Sequence, residues 1–317
     1  MDNGTMVDRF VGIDVAKNSL EIHVRPDKLA FGCGTDADSL AALAQRLKAL
    51  QPRLTVLEAT GGYESVVAAA LVDAGLAIAI VNPRQTRKFA GAVGRLAKTD
   101  KIDAAIIAHF AEAIRPRAHV LADAQTQRLA ALMARRAQLM ASNAAEQQRH
   151  NRASDTDTRR SCETMVRSLK AEIARIEKLI DKLITASPLF QAKQDLLRSI
   201  PGIGDVVART FIAELPELGT VDRHQIAALV GLAPINRDSG RSRGERHIHG
   251  GRPQVRAPLF TATMAAIQYN PALKAFYERL VATGKNRRVA LIAAMRKLVV
   301  IANAVLRDNR PWDPAKA

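Results

Sequence analysis

Over the first hundred or so residues the apolar positions come in short blocks and alternations, the signature of strands, broken by two stretches at helical spacing. Arg9–Val15, Leu20–Val24 and Lys28–Cys33 read as three strands, with turn signals at Lys17-Asn18-Ser19 and Arg25-Pro26-Asp27. In the second of them Glu21 and His23 alternate outward. Leu40, Leu43, Leu47 and Leu50 then recur as one face of a helix over Asp36–Leu50. Strand Leu54–Glu58, helix Tyr63–Ala74, strand Ala77–Val81 and helix Asp100–Ile114 follow. A three-strand meander followed by alternating helices and strands predicts an α/β, ribonuclease-H-like domain over residues 1–120.

Beyond that point the period lengthens. Residues 121–187 read as almost wholly helical, and Cys162, Val166, Leu169, Ile173, Ile176, Ile180 and Leu183 step alternately by four and three among charged residues. Such a seam, about three heptads long, joins chains as a coiled coil or packs an amphipathic helix inside one chain. Residues 121–190 are therefore expected to form a helical linker and oligomerisation region. Pro188 is expected to end the long helix, and a mostly α C-terminal domain fills residues 191–317. Its helices resume at Pro253–Tyr269 and Asn286–Asp308 after a long loop, Asn236–Arg252, rich in Gly, Arg and Ser.

The charge is unevenly placed. The 317 residues carry a formal charge of +16, of which the last 127 residues hold +10 and the first 120 only +2. A basic C-terminal third fits a polyanionic partner, and a balanced N-terminal third is better suited to holding cations. Two cysteines, Cys33 and Cys162, are too few and too distant for a disulfide framework or a zinc site. No P-loop motif is present, so an ATP-driven reaction is not indicated. No signal peptide opens the chain and no apolar run is expected to span a bilayer, which predicts a cytoplasmic, membrane-free bacterial protein.

Four carboxylates carry the candidate chemistry. Asp14 lies in the apolar run Phe10–Val15, where an acid is costly to bury unless it is paired or coordinates a metal. Glu58 ends the strand Leu54–Glu58, before Ala59-Thr60-Gly61-Gly62. Asp100 and Asp103 stand three apart in Lys98-Thr99-Asp100-Lys101-Ile102-Asp103-Ala104 and so share a helical face. Taken singly, each has an ordinary reading as a turn cap, a solvated strand-end acid or a helix N-cap. Together, on these elements and in this order, they suit a pair of divalent ions that cut phosphodiesters. With oxygen ligands only, Mg²⁺ is favoured and Mn²⁺ is the alternative.

Two further segments address nucleic acid. Leu197–Ala208, with Pro201-Gly202-Ile203-Gly204 at its centre, has the form of a helix-hairpin-helix whose free backbone N–H groups bind phosphate. Its plainer reading is a glycine-containing helix turn. The segment Asn236–Arg256 gathers Arg237, Arg241, Arg243, Arg246, Arg252 and Arg256 around Ser239. It is either a basic loop on DNA or RNA, or a loop in which clustered guanidiniums activate a phosphate towards a serine hydroxyl. Ser242 is a rival nucleophile. A structure-selective nuclease or junction resolvase using water would employ the same four acids and leave Ser239 idle. A non-catalytic binding protein would use none of them.

Five motifs in order resemble the DEDD transposases of bacterial insertion sequences, the bridge-RNA-guided recombinases. They are Gly12-Ile13-Asp14-Val15-Ala16-Lys17, Glu58-Ala59-Thr60-Gly61, Lys98–Ala104, Ile200-Pro201-Gly202-Ile203-Gly204, and Asn236-Arg237-Asp238-Ser239-Gly240 followed by Gly250-Gly251-Arg252. The resemblance implies a Holliday-junction-resolvase-like (RuvC-like) N-terminal domain binding Mg²⁺ through Asp14, Glu58, Asp100 and Asp103. It implies a C-terminal transposase domain in which Ser239 forms a covalent phosphoserine link. The implied partners are donor and target DNA, a structured bridge RNA that chooses the sites, and three further copies of the chain in a tetramer.

Overall fold

The computed structural model describes residues 8–95, 100–118, 123–236, 244 and 246–314, and only the backbone of Asp100 and Lys101. The chain divides into two compact units, Met1–Leu121 and Ala122–Ala317.

The first unit contains β1 (Phe10–Val15), β2 (Ser19–Arg25), β3 (Leu29–Gly34), α1 (Ala37–Leu50), β4 (Leu54–Glu58), α2 (Tyr63–Asp73), β5 (Ile78–Val81), α3 (Pro83–Ala92) and α4 (Asp100–Ile114). Its sheet has the order β3-β2-β1-β4-β5. β1 runs antiparallel to β2 and parallel to β4, and β5 lies parallel to β4. This mixed sheet is compatible with a ribonuclease-H-like DEDD domain. Strand alternation sorts the core into two faces. Val11, Ile13, Val15 and Leu57 meet α1 and α2 through Leu40, Leu47, Val67 and Leu71. Phe10, Val56, Ala79 and Val81 meet Ile107, Phe110 and Ala111 of α4, with Phe89 of α3 against them.

α4 lies directly on the backbone of β1. A Cβ on Gly12 would fall 2.2 Å from Ala108 N and 2.4 Å from Ala104 O, so only glycine permits the approach. Near the far end of α4, Glu112 bonds Arg25 at 2.6 Å and the Arg115 guanidinium sits 5.4 Å from the Phe10 ring centroid. α4 thus runs antiparallel to β1, and its first turn points towards the end of β1 that carries Asp14. α3 is absent from the periodicity reading because its sequence, Pro83-Arg84-Gln85-Thr86-Arg87-Lys88, is polar. Asn82 caps it by accepting from Arg84 N at 2.9 Å, and Pro83 is pre-set for a first helical turn.

The second unit contains α5 (Ala124–Arg152), α6 (Thr156–Ala186), α7 (Pro188–Arg198), α8 (Asp205–Glu214), α9 (Arg223–Val230), β6 (Pro234–Ile235), β7 (His247–Ile248), α10 (Pro253–Tyr269), α11 (Pro271–Ala282) and α12 (Arg287–Asp308). α5 and α6 form a hairpin, joined across by the Arg136–Glu177 ion pair at 2.7 Å. Ile173, Ile176 and Ile180 are buried in one core with Leu129, Met133 and Leu139 of α5. This stretch of the seam expected to join chains is therefore occupied inside one chain.

The long helix ends at Pro188 as expected: Ser187 closes α6 and its Oγ accepts from Phe190 N, so Pro188 opens α7. One other expectation is corrected, that no apolar run is long enough to span a bilayer. α12 is long and apolar enough, by length and composition alone, to cross a membrane. Here Ala290, Ala294, Met295, Leu298, Val299 and Ala302 are fully buried, which makes it a core helix of its unit.

Candidate active site

Asp14 and Glu58 stand at the C-terminal ends of two adjacent parallel strands, each one residue beyond the last registered pair, Ile13 and Leu57. Alternation puts Asp14 on the face of Gly12, and Glu58 on the face of Val56, so both belong to the face that α4 covers. Both acids are partly buried. Thr86 of α3 donates its hydroxyl to Glu58 Oε2 at 2.6 Å. The turn after Glu58 needs positive φ at Gly61 (70°) and Gly62 (113°), and Glu64 holds it by accepting from Thr60 N and Gly62 N at 2.9 and 2.8 Å.

Asp103 lies partly buried in the first turn of α4, and Asp100 opens that helix with its side chain outside the described residues. The antiparallel course of α4 places both at the Asp14 end of β1. Among the described residues no three His, Cys, Asp or Glu side chains gather closely enough to hold a metal ion. The donor chemistry nonetheless suits a hard divalent cation, since the acids brought to this end of the sheet offer oxygen alone. Glu21, on the neighbouring antiparallel strand, is the cross-strand partner of Asp14. Its carboxylate leans the other way: Oε1 is 3.3 Å from where a Cβ on Gly32 would sit.

In the second unit α7 and α8 form a helical hairpin through Ser199–Gly204. Gly202 has φ 102°, and a Cβ there would lie 2.5 Å from the Ala266 Cβ of α10. Gly204 instead borders open space and caps α8 without a side-chain hydrogen bond, leaving the first N–H groups of α8 without a side-chain acceptor from the cap. Arg198 and Asp205 pair across the turn at 3.1 Å.

The serine segment is bracketed by a short antiparallel pair, Pro234 opposite Ile248 and Ile235 opposite His247. Ser239, Ser242, Arg237, Arg241 and Arg243 lie outside the described residues. Arg246 is exposed. Arg252 forks onto Glu217 with bonds of 2.7 and 2.6 Å and donates to Glu214 O at 2.7 Å, while Arg256 donates to Gly250 O at 2.6 Å. These two arginines, read from sequence as part of the basic loop, tie its downstream end to α8 and α9. Gly250 and Gly251 complete the clamp. Both have positive φ, and a Cβ on Gly251 would lie 2.1 Å from Gly231 N at the end of α9. Burial raises the Glu214 carboxyl above its ordinary range, against the pull of Arg252.

Comparison with known proteins covers both units. Residues 11–153 match a family model of DEDD transposases of the IS110 type, and residues 194–278 match the transposase model of the IS116/IS110/IS902 family. The pilin gene-inverting protein of Moraxella lacunata is 26% identical across 97% of this chain and 98% of its own length. That of Moraxella bovis is likewise 26% identical over the same shares. An uncharacterized 43.6 kDa protein of insertion element IS110 from Streptomyces coelicolor is 31% identical over 42% of this chain and 33% of its own.

Proposed function

Because the chain belongs to the IS116/IS110/IS902 family of transposases, whose members cut and rejoin DNA, we propose that it recombines two DNA sites through a phosphoserine intermediate formed by Ser239. The observation that carries this reading is the pair of adjacent strand ends bearing Asp14 and Glu58, in a chain matched by both transposase models. Asp14, Glu58, Asp100 and Asp103 would hold Mg²⁺, with Mn²⁺ as the substitute; when bound, the ion supplies charge to the phosphate and its displaced oxygen.

Ser239 Oγ attacks phosphorus, its proton leaves, and one P–O bond of the strand breaks to release a hydroxyl end. Attack by a hydroxyl end of the second site then reverses the exchange and frees the serine. One phosphate ester replaces another at each step, so no ATP is required. Arg237, Arg241, Arg243 and Arg246 neutralise the phosphate, and Arg252, held by Glu217, anchors the segment that presents them. Gly202 and Gly204 shape the α7–α8 hairpin for a backbone phosphate at the start of α8. The basic last third reads backbone and shape while a structured bridge RNA supplies sequence by base pairing, in a tetramer. The near full-length likeness to the two pilin gene-inverting proteins favours sites that can also lie on one DNA molecule.

Denaturing gels of the protein with labelled DNA, copurified RNA and Mg²⁺ test the reading. A protein–DNA adduct is expected in wild type and in Ser242→Ala, and none in Ser239→Ala. An adduct that persists in Ser239→Ala removes that residue from the reaction. Cleavage with no adduct in wild type establishes a hydrolytic nuclease instead.

A further inference from the structure

We propose that Thr86 is the positioning residue that orients Glu58 for metal binding; the inference rests on the metal-dependent reading above. Thr86 is 3% exposed, and its Oγ1 lies 2.6 Å from Glu58 Oε2 and 3.0 Å from Pro83 O. A hydroxyl has one proton to give. The ionised carboxylate is the shorter and stronger acceptor, and the carbonyl of its own helix is the weaker one. Glu58 ends a strand, and its carboxylate turns about several single bonds unless something holds it. A bond to Oε2 fixes the plane and leaves Oε1 as the ligand oxygen. Partners of this kind, one step removed from a metal, set the orientation of its ligands.

Thr86 is itself held firmly. α3 starts directly after β5, capped by Asn82 and opened by Pro83. Three residues beyond Thr86, Phe89 packs edge-on against Phe110 at 5.5 Å and His109 at 5.0 Å between ring centroids. Both of those rings belong to α4, the helix that carries Asp100 and Asp103. The Thr86 hydroxyl therefore ties Glu58 to α3, which packs through Phe89 on the helix bearing the other two acids. Valine has nearly the same shape and would fill the same buried space, so the hydroxyl is what the position adds.

The test uses the full chain and Mn²⁺ as the probe. Isothermal titration of Mn²⁺ into metal-free protein, without DNA, compares wild type, Thr86→Val, Thr86→Ser and Asp14→Asn. Thr86→Val is expected to weaken Mn²⁺ binding about 10-fold or more at an unchanged metal-free melting temperature, and Thr86→Ser to restore it. Recombination by Thr86→Val is expected to recover at high Mn²⁺, shifting the metal midpoint more than the plateau. Wild-type Mn²⁺ affinity in Thr86→Val, beside a loss in Asp14→Asn, overturns the role of Thr86 alone. So does a Thr86→Ser protein as weak as Thr86→Val. If Asp14→Asn also binds as wild type, or wild type takes up no Mn²⁺, the metal reading fails and this inference with it. Should Thr86→Val not fold, Thr86→Ala fits the same space and is read in the same way.

Discussion

Removing any one of the four acids tests the proposed metal site from a different side. Asp14→Ala, Glu58→Ala, Asp100→Ala and Asp103→Ala are each expected to abolish recombination while circular dichroism and melting stay near wild type. In Glu58→Ala the Thr86 hydroxyl falls back on Pro83 O at 3.0 Å, so no buried donor is stranded. Full activity in any of the four takes that residue out of the site. Arg252 and Arg246 make a contrasting pair, both basic and both in the serine segment. Arg252→Ala leaves Glu217 facing a lost partner and is expected to cost about 1–3 kcal/mol in urea unfolding, because the pair is mostly shielded. Arg246→Ala is expected to leave stability alone and to lower the salt slope of nucleic-acid binding by about one.

Elements are held by backbone contact as much as by side chains. Gly12→Ala pushes a methyl into α4 at 2.2 Å, and the helix must lift from β1 to accept it. The expected loss is about 1–3 kcal/mol or more, with recombination falling further than stability because the start of α4 moves away from Asp14. Equal losses of both would make the contact purely structural. Ile176 is 4% exposed against α5, so Ile176→Asp is expected to unfold the helical hairpin, lowering the melting temperature at any protein concentration. A clean shift from tetramer to a smaller folded species by light scattering would show that the seam joins chains after all.

Helix caps add a pH dependence. Backbone N–H groups of Gln225 and His224 hold the Asp222 carboxyl below its ordinary value, and Ser39 N–H does the same for Asp36. A depressed folded value means stability present above the ordinary carboxylate range and lost as pH falls through the folded one. Asp222→Asn keeps an acceptor and is expected to flatten the acid limb of the urea midpoint below the ordinary carboxylate range. An unchanged limb would assign the acid sensitivity elsewhere.

At the scale of the molecule, charge and the two units divide the labour. The +10 held by residues 191–317 is expected to make the second unit the main electrostatic grip on nucleic acid. Binding of DNA or RNA is expected to weaken steeply and linearly in log salt, and the slope should survive loss of any one site acid. Sequence preference that vanishes once copurified RNA is digested, with this salt slope intact, would agree with RNA as the reader of sequence. Preference that persists would place base reading in the protein.

Much of this was legible in the chain because it depends on local pattern. Short apolar runs at Phe10–Val15 and Leu54–Glu58 specified strands whose ends carry Asp14 and Glu58, and the spacing of Asp100 and Asp103 specified one helical face. Those signals are set by residues a few positions apart. Tertiary structure decided what depends on distant residues meeting. Thr86 reaches Glu58 across 28 positions, on a polar helix that hydrophobic periodicity cannot detect. Arg252 looked like its neighbouring arginines until Glu217 was brought against it from 35 positions away. The seam of α6 is equally satisfied by a partner chain or by α5, and a one-dimensional pattern carries no record of which surface meets it. The packed fold shows α5 against Ile173, Ile176 and Ile180 of that face, a contact between residues about 40 positions apart.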